Sequence, residues 1–166
     1  MIAKGMKAYM GVRRRFDIKG IYDGILIVDD YAHHPTEVTA TLRSARSGWD
    51  KRIVAVFQPH LFSRTKEFFK EFADALLSAD IVIITDIYPA REQPIAGVTS
   101  KLIYDELSIK LKERCYLLPD LDDLIDALDD IAQSGDMVLT MGAGNIWRYN
   151  ESYVAHRQSM SEGVYN

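Results

Sequence analysis

The stretch GILIVDDYAHHPTEVTATLRSARSG, residues 24–48, changes its periodicity once, and that change decides the fold. Ile25 to Val28 are apolar without alternation, the pattern of a strand covered on both faces. From Pro35 onward the apolar positions are Val38, Leu42 and Ala45, which is helical spacing; Pro35 suits a first turn and Gly48 an end. A buried strand therefore runs into a helix through the loop DDYAHHPT. Upstream, RRFDIKGIY is a second β-rich run, and Tyr22-Asp23-Gly24 is a turn between the two, so the pair predicts a hairpin.

The alternation continues. RIVAVFQ (52–58) reads as a strand, followed by a helix from Ser63 whose Phe68, Phe69, Phe72, Ala73, Leu76 and Leu77 form one apolar face. That stripe reads as core. DIVIITDI (80–87) is a third buried run, YPAREQPIAGVTS (88–100) a long loop, and Leu102, Ile103, Leu107 and Leu111 mark the next helix. CYLL (115–118) is a short strand and DLDDLIDALDDIAQSG (120–135) an amphipathic helix ended by Gly135; DMVLTMGAGNIW (136–147) supplies the last strand and a glycine-rich turn. These elements predict a doubly wound, mostly parallel α/β sheet, Rossmann-like, with helices on both faces and an antiparallel edge hairpin. The closing residues, HRQSMSEGVYN, read as a loose tail.

At 166 residues the chain makes one domain, large enough to bury ~70% of the surface its unfolded form would expose. A formal charge of -4 argues against a general nucleic-acid binder, although local arginine clusters still suit specific anions. No apolar run reaches the ~18 residues of a membrane helix. The opening residues lack the apolar core of a signal peptide and read like the tail of a preceding helix. The single Cys115 excludes an internal disulfide and fits a reducing compartment, so a cytoplasmic location is expected.

Ligands of such sheets bind beyond the carboxyl ends of the strands. DDYAHHP, QPHLFSRT, DIYPAREQP and GAGNI all fall on that one rim. Adjacent histidines rarely point the same way, and no HxH, HExxH or CxxC spacing accompanies His33 and His34, so no metal site is expected. One of the two histidines would instead order the turn and cap the helix at Pro35. Asp30 suits either a helix cap or a pair of ribose hydroxyls. Ser63 suits an N-cap, with Arg64 either solvated or holding an anion beside free backbone amides. The basic run RRRF (13–16) has the ordinary reading of a solvated face. GAGNI lacks the GxGxxG pattern and supports only a close approach of backbone to a small ligand. There is no GxxxxGK[ST] phosphate loop and no nucleophile triad.

Taken in order, GVRRRFDIKG, VDDYAHHPTE, VFQPHLFSRT, TDIYPAREQPIAGV and TMGAGNIW resemble the C-terminal domain of the Mur ligases, in the type that adds L-alanine to UDP-N-acetylmuramate; the likeness spans roughly residues 5–150. It implies three domains, one for the UDP sugar, one with the ATP phosphate loop, and this one, which receives the amino acid and closes over both. On that basis residues 1–12 are the remnant of an interdomain connection, 13–150 the domain and 151–166 the tail. The reaction implied is phosphorylation of the muramoyl carboxylate by ATP with Mg, then attack by the alanine amine; this domain alone would be inactive. The resemblance assigns Arg15, Asp30 and Tyr31 to the nucleotide and Arg64 and His33 to catalysis. Arg64, Tyr31, His33 and the turn Gly142, Ala143 and Gly144 are assigned to the amino acid. Two positions depart from relatives: Leu61 stands where some have a second arginine, and Arg91 where a glycine is common. The related murein-tripeptide recycling ligase and a free-standing nucleotide or amino-acid binding module are the alternatives.

Overall fold

The computed structural model describes residues 14–163 of the chain, with side chains to residue 161. The expected connection remnant at residues 1–12 lies outside the described residues. Six strands, β1 (Asp17–Tyr22), β2 (Ile25–Asp30), β3 (Ile53–Phe57), β4 (Ile81–Thr85), β5 (Cys115–Leu118) and β6 (Met137–Met141), form one sheet in the order β1-β2-β6-β3-β4-β5. Only β1 runs antiparallel. Its hairpin turn places Asp23 and Gly24 at φ 50° and 79°. Positive φ at both central residues matches the right-handed twist of the flanking strands and explains the Asp-Gly pair.

Among the described residues five α-helices cover the sheet: α1 (Pro35–Gly48), α2 (Phe62–Leu76), α3 (Lys101–Leu111), α4 (Leu124–Ile131) and α5 (Ile146–Gly163). Every residue of β2, β3, β4 and β6 is buried, as their unbroken apolar runs require. Val38, Leu42, Phe72, Leu76, Ile103 and Leu107 bring α1, α2 and α3 onto one face, where they pack on Val28, Ala55, Phe57 and Leu139. Leu124, Leu128, Ile146 and Tyr153 bring α4 and α5 onto the other, against Ile27, Val54 and Val138.

Three expectations need correction. Residues 151–163 of the expected tail are the body of α5, not loose chain, and residues 164–166 lie outside the described residues: Tyr153 is 1% exposed, and Asn150, just before, donates to the Val28 carbonyl at 3.1 Å. Helix α2 starts at Phe62 with Leu61 as its cap residue, so Ser63 lies inside the first turn. Leu77, placed on the apolar face of α2, is the residue after its end and is exposed.

The topology locates the crevice. The chain leaves β2 and β3 toward the face of α1 and α2, but leaves β6, which lies between them, toward the face of α5. Connections diverge on either side of β6, and such a switch point opens a cleft at the strands' carboxyl ends. Asp30, Met141 and Phe57 stand level across β2, β6 and β3, so the three loops leave from one height.

Candidate functional site

The loop after β2 is organised by its own residues. His34 caps α1, its Nδ1 accepting from the Thr36 amide at 3.4 Å. The Glu37 carboxylate returns to accept from the amides of His33 (2.9 Å) and His34 (3.0 Å), which completes a capping box. Partial burial pushes the Glu37 carboxyl up, but those two amides and the charges of His33 and Arg15 outweigh it and hold the group below its ordinary value. Of the two histidines, His34 is thus the structural one. His33 faces the rim with its Nδ1 2.9 Å from the Tyr31 carbonyl and 3.2 Å from Glu37 Oε2. Both neighbours are acceptors, so Nδ1 carries the proton in the neutral ring and Nε2 presents a lone pair.

Asp30 is 8% exposed and already engaged: one oxygen accepts from the Ala32 amide (2.7 Å) and Thr41 Oγ1 (3.2 Å), the other from the Phe16 amide (2.6 Å). Its remaining acceptor capacity opens on a cleft of about 260 Å³ lined by Arg15, Phe16, Tyr31, Glu37, Thr41 and Ser44 among others. A carboxylate with three donors in place has room for one ribose hydroxyl more readily than for two.

The loop after β3 departs from ordinary backbone at Leu61, which sits at φ 72° and ψ 134° and offers no side-chain cap. The amide of Ser63 and its hydroxyl both donate instead to Glu92, from the loop after β4. Those two bonds, the hydroxyl first, lower the Glu92 pKa. The backbone amide expected to stand free beside Arg64 is therefore occupied. Two further bonds, Leu61 N to Tyr88 O (2.9 Å) and Tyr88 N to Pro59 O (2.8 Å), join the two loops. Arg64 approaches His60 Nδ1 at 3.5 Å and forms no ion pair with any described carboxylate. Burial first, then the charges of Arg64 and His33, push the His60 pKa down, which suits a neutral ring beside the guanidinium.

Rings run across the rim: Tyr31 meets His33 edge-on at 5.1 Å, His33 meets His60 at 5.8 Å, and His60 stacks on Tyr88 at 5.7 Å. Beneath them lies the turn after β6. Gln58, 2% exposed, accepts from the Ile146 amide at 3.1 Å and donates to Asn145 at 2.7 Å, capping α5 and bridging the switch point. At Gly144 an added Cβ would stand 2.5 Å from both the Tyr88 ring and Gln58 Oε1, so only glycine fits. Gly142 and Gly144 are buried and Ala143 partly exposed.

The structure thus brings Arg15, Asp30 and Tyr31 together at one end of the rim, with His33 next along and Arg64 and the 142–144 turn near its middle. Arg91 is exposed on the loop after β4. Sequence reasoning passed over Gln58, His60, Tyr88 and Glu92, though each stands in a quoted loop. Cys115 is buried on β5, where desolvation pushes its pKa up to about 12, and takes no part. Among the described residues no three His, Cys, Asp or Glu side chains converge as a metal site. No described helix is long and apolar enough to cross a membrane.

Comparison with known proteins gives this rim a family. The family model for the Mur ligase, glutamate ligase domain matches residues 14–144. A UDP-N-acetylmuramate–L-alanine ligase of Geotalea daltonii is 50% identical over 153 residues, 92% of this chain and 33% of that protein. The solved UDP-N-acetylmuramate–alanine ligase of Thermotoga maritima superposes with a TM-score of 0.76 at 30% identity, over 95% of this chain and 33% of that one. A murein peptide ligase of Psychrobacter arcticus shares the fold, with a TM-score of 0.72 at 24% identity over 93% of this chain and 32% of that one. The chain spans about a third of the length of the curated relatives it matches. With the motif-bearing loops gathered on one rim and a family match across most of its length, the chain belongs to the Mur ligase family, as its glutamate ligase domain.

Proposed function

We propose that the chain serves as the C-terminal domain of an ATP-dependent ligase that joins L-alanine to UDP-N-acetylmuramate. The observation that carries this reading is the 50% identity to an enzyme of that name over 153 residues. In the reaction the muramoyl carboxylate takes a phosphoryl group from ATP, and the alanine amine then displaces phosphate to form the amide. The UDP sugar, the phosphate loop for ATP and its Mg belong to domains outside this chain; no described cluster of this domain suits the metal, and no step here depends on it. Use of ATP fits a cytoplasmic enzyme.

The roles follow from what each group has free. Arg15 lines the cleft without an ion-pair partner among the described residues and takes nucleotide phosphate, while Asp30 offers its remaining lone pair to the ribose and Tyr31 its ring. Arg64, unpaired beside neutral His60, holds the alanine carboxylate. His33 Nε2, the unprotonated nitrogen, receives the proton that the alanine ammonium must shed before attack. The turn of Gly142, Ala143 and Gly144 closes the pocket from below, where Tyr88 and Gln58 leave no room for a side chain at 144. Fixed cations around the acyl phosphate lower the barrier, and closure of the domain excludes the water that would hydrolyse it.

Replacing the C-terminal third of the Geotalea daltonii ligase with this chain tests the reading directly. The chimera is expected to release ADP only when UDP-N-acetylmuramate and L-alanine are both present. Turnover with a murein tripeptide in place of alanine would assign the recycling activity instead. A chimera that melts cooperatively but turns over neither would leave a free-standing binding module. Within an active chimera, Arg64→Ala should raise KM for L-alanine by about tenfold or more, the loss expected for a charged hydrogen bond; unchanged KM and kcat would remove Arg64 from the site.

A further inference from the structure

Arg14 and Arg15 are neighbours in a run of three arginines, yet the structure treats them as opposites. Arg14 is locked. Its Nε donates to Asp29 Oδ2 at 2.9 Å, its Nη2 to the Gly142 carbonyl at 2.7 Å, and its guanidinium lies 5.1 Å from the centroid of the Tyr31 ring. Arg15 lines the cleft with no such partner among the described residues. The backbone explains how adjacent residues come to diverge: Arg14 and Phe16 both take left-handed conformations, at φ 68° and 46°. Two non-glycine residues in that region within three positions are costly and persist only where surrounding contacts over-determine them.

Those contacts come from two consecutive carboxylates of β2. Asp29 grips the Arg14 side chain and Asp30 the Phe16 amide, at 2.6 Å, while Tyr31 N donates to the Arg14 carbonyl at 2.7 Å and Phe16 stacks on Trp49 at 5.1 Å. The tripeptide 14–16 is therefore clamped on both sides of Arg15. Asp29 is itself fixed from beneath. It is fully buried, its second oxygen accepts from Thr140 Oγ1 at 2.7 Å, and Thr140 accepts from Asn150 of α5 at 2.9 Å. A hydrogen-bonded chain thus runs from α5, across β6 and β2, to the rim.

We infer that Arg14 and Asp29 are positioning residues that set Arg15 over the cleft and, through the Gly142 carbonyl and the Tyr31 ring, hold the two flanking loops in register with it. Asp29 is buried and Arg14 only partly so, and an ion pair taken this far out of water is often replaceable by apolar side chains when stability is its only task. What this pair supplies is direction, because a guanidinium held through Nε and one Nη cannot swivel. The inference rests on the reading of Arg15 as a phosphate ligand, and the experiment separates the two.

In the active chimera, Arg15→Ala, Arg14→Gln and the double variant are compared for KM of ATP and for kcat. Arg14→Gln is expected to raise KM for ATP roughly tenfold, as when a charged hydrogen bond is lost, and to add clearly less in the Arg15→Ala background, since much of what Arg14 does for the nucleotide passes through its neighbour. Arg14→Lys, which keeps the charge but not the fork, should fail to rescue. Independent, additive effects would make Arg14 a ligand in its own right and overturn the inference. So would a variant that lowers only the melting temperature, or full rescue by lysine. If Arg15→Ala leaves KM for ATP unchanged, the phosphate reading of Arg15 fails. The positioning is then decided on this chain alone by ¹⁵N relaxation. Arg14→Gln should lower the order parameter of the Arg15 amide from about 0.85 to below about 0.6; an unchanged value would overturn it.

Discussion

Helices α1 and α2 both begin at the rim, but they are started in different ways. Helix α1 is capped from within four residues, by His34 and by Glu37 reaching back to the amides of His33 and His34. Helix α2 begins after a strained Leu61 with no cap of its own, and the carboxylate that serves its first turn comes from Glu92, 29 residues further along. Helix α5 follows the second pattern, its first amide held by Gln58 from the loop after β3. A locally capped helix can form its turn before the rest of the domain docks. A helix capped from another loop cannot, so its start is correct only when both loops are in place. The loops after β3, β4 and β6 are therefore one cooperative block, whereas the start of α1 is set by residues of its own loop.

Removing the bridge inside the block should have the largest effect. Gln58→Leu keeps the volume but strands the buried Ile146 amide and takes the partner from the half-buried Asn145 side chain. Urea unfolding is expected to show a loss of about 1–3 kcal/mol, the cost of leaving one buried amide unpartnered. A loss below about 0.5 kcal/mol, the ordinary surface value, would mean that the block relaxes and is not cooperative.

The two carboxylate caps sharpen the contrast. Glu37→Ala should cost about 0.5–1 kcal/mol, as for other capping residues, and speed amide exchange only at residues 33–37. Glu92→Ala should disturb two places distant in sequence, the amides at 61–64 and those near Tyr88, because it unties two loops together. Exchange confined to residues 62–63 would reduce Glu92 to a simple cap. Acid should imitate both variants. Each carboxyl sits below its ordinary value, so its contribution is present above the unfolded pKa near 4.5 and is lost as pH falls through the lower folded value.

The same division marks what could be read from the residues. The hairpin at Asp23-Gly24, the strand-to-helix change at Pro35 and the buried runs of β3, β4 and β6 depend on neighbours within a few positions, and their patterns were plain. So was the gathering of four loops on one rim, which follows from alternation and topology. Glu92 capping α2 and Gln58 capping α5 depend on which loops become neighbours in space, and nothing within four residues of either signals it. Helix α5 escaped because, among its described side chains, only Ile146, Asn150 and Tyr153 are fully buried, and polar residues are interspersed through the rest of its length. The run RRRF could not say which arginine is anchored; two left-handed residues and one buried aspartate decide it. Asp30 was legible as a chemically useful carboxylate, but its three existing donors were not.

The smallest expected effect comes from His60, and it tests the block from its electrostatic side. The N-terminus of α2 carries a partial positive charge, and His60 and Arg64 both lie beside it, with His33 across the rim. Burial, then Arg64, then His33 lower the His60 pKa, and Glu92 opposes them only in part. The sign follows from linkage. The folded chain holds the ring neutral, so its stability is complete above the unfolded value near 6.5 and declines as pH falls below it, where the unfolded chain takes up the proton first. His60→Gln removes that proton. The stability of wild type relative to the variant should therefore shrink between pH 7.5 and pH 5.5, by less than about 0.5 kcal/mol because the ring is partly exposed and the charges are screened. In the Glu92→Ala background the decline should steepen, since the opposing charge is gone. A decline of the same size with and without Glu92 would show that the two loops do not share an electrostatic field, and the block would then rest on hydrogen bonds alone.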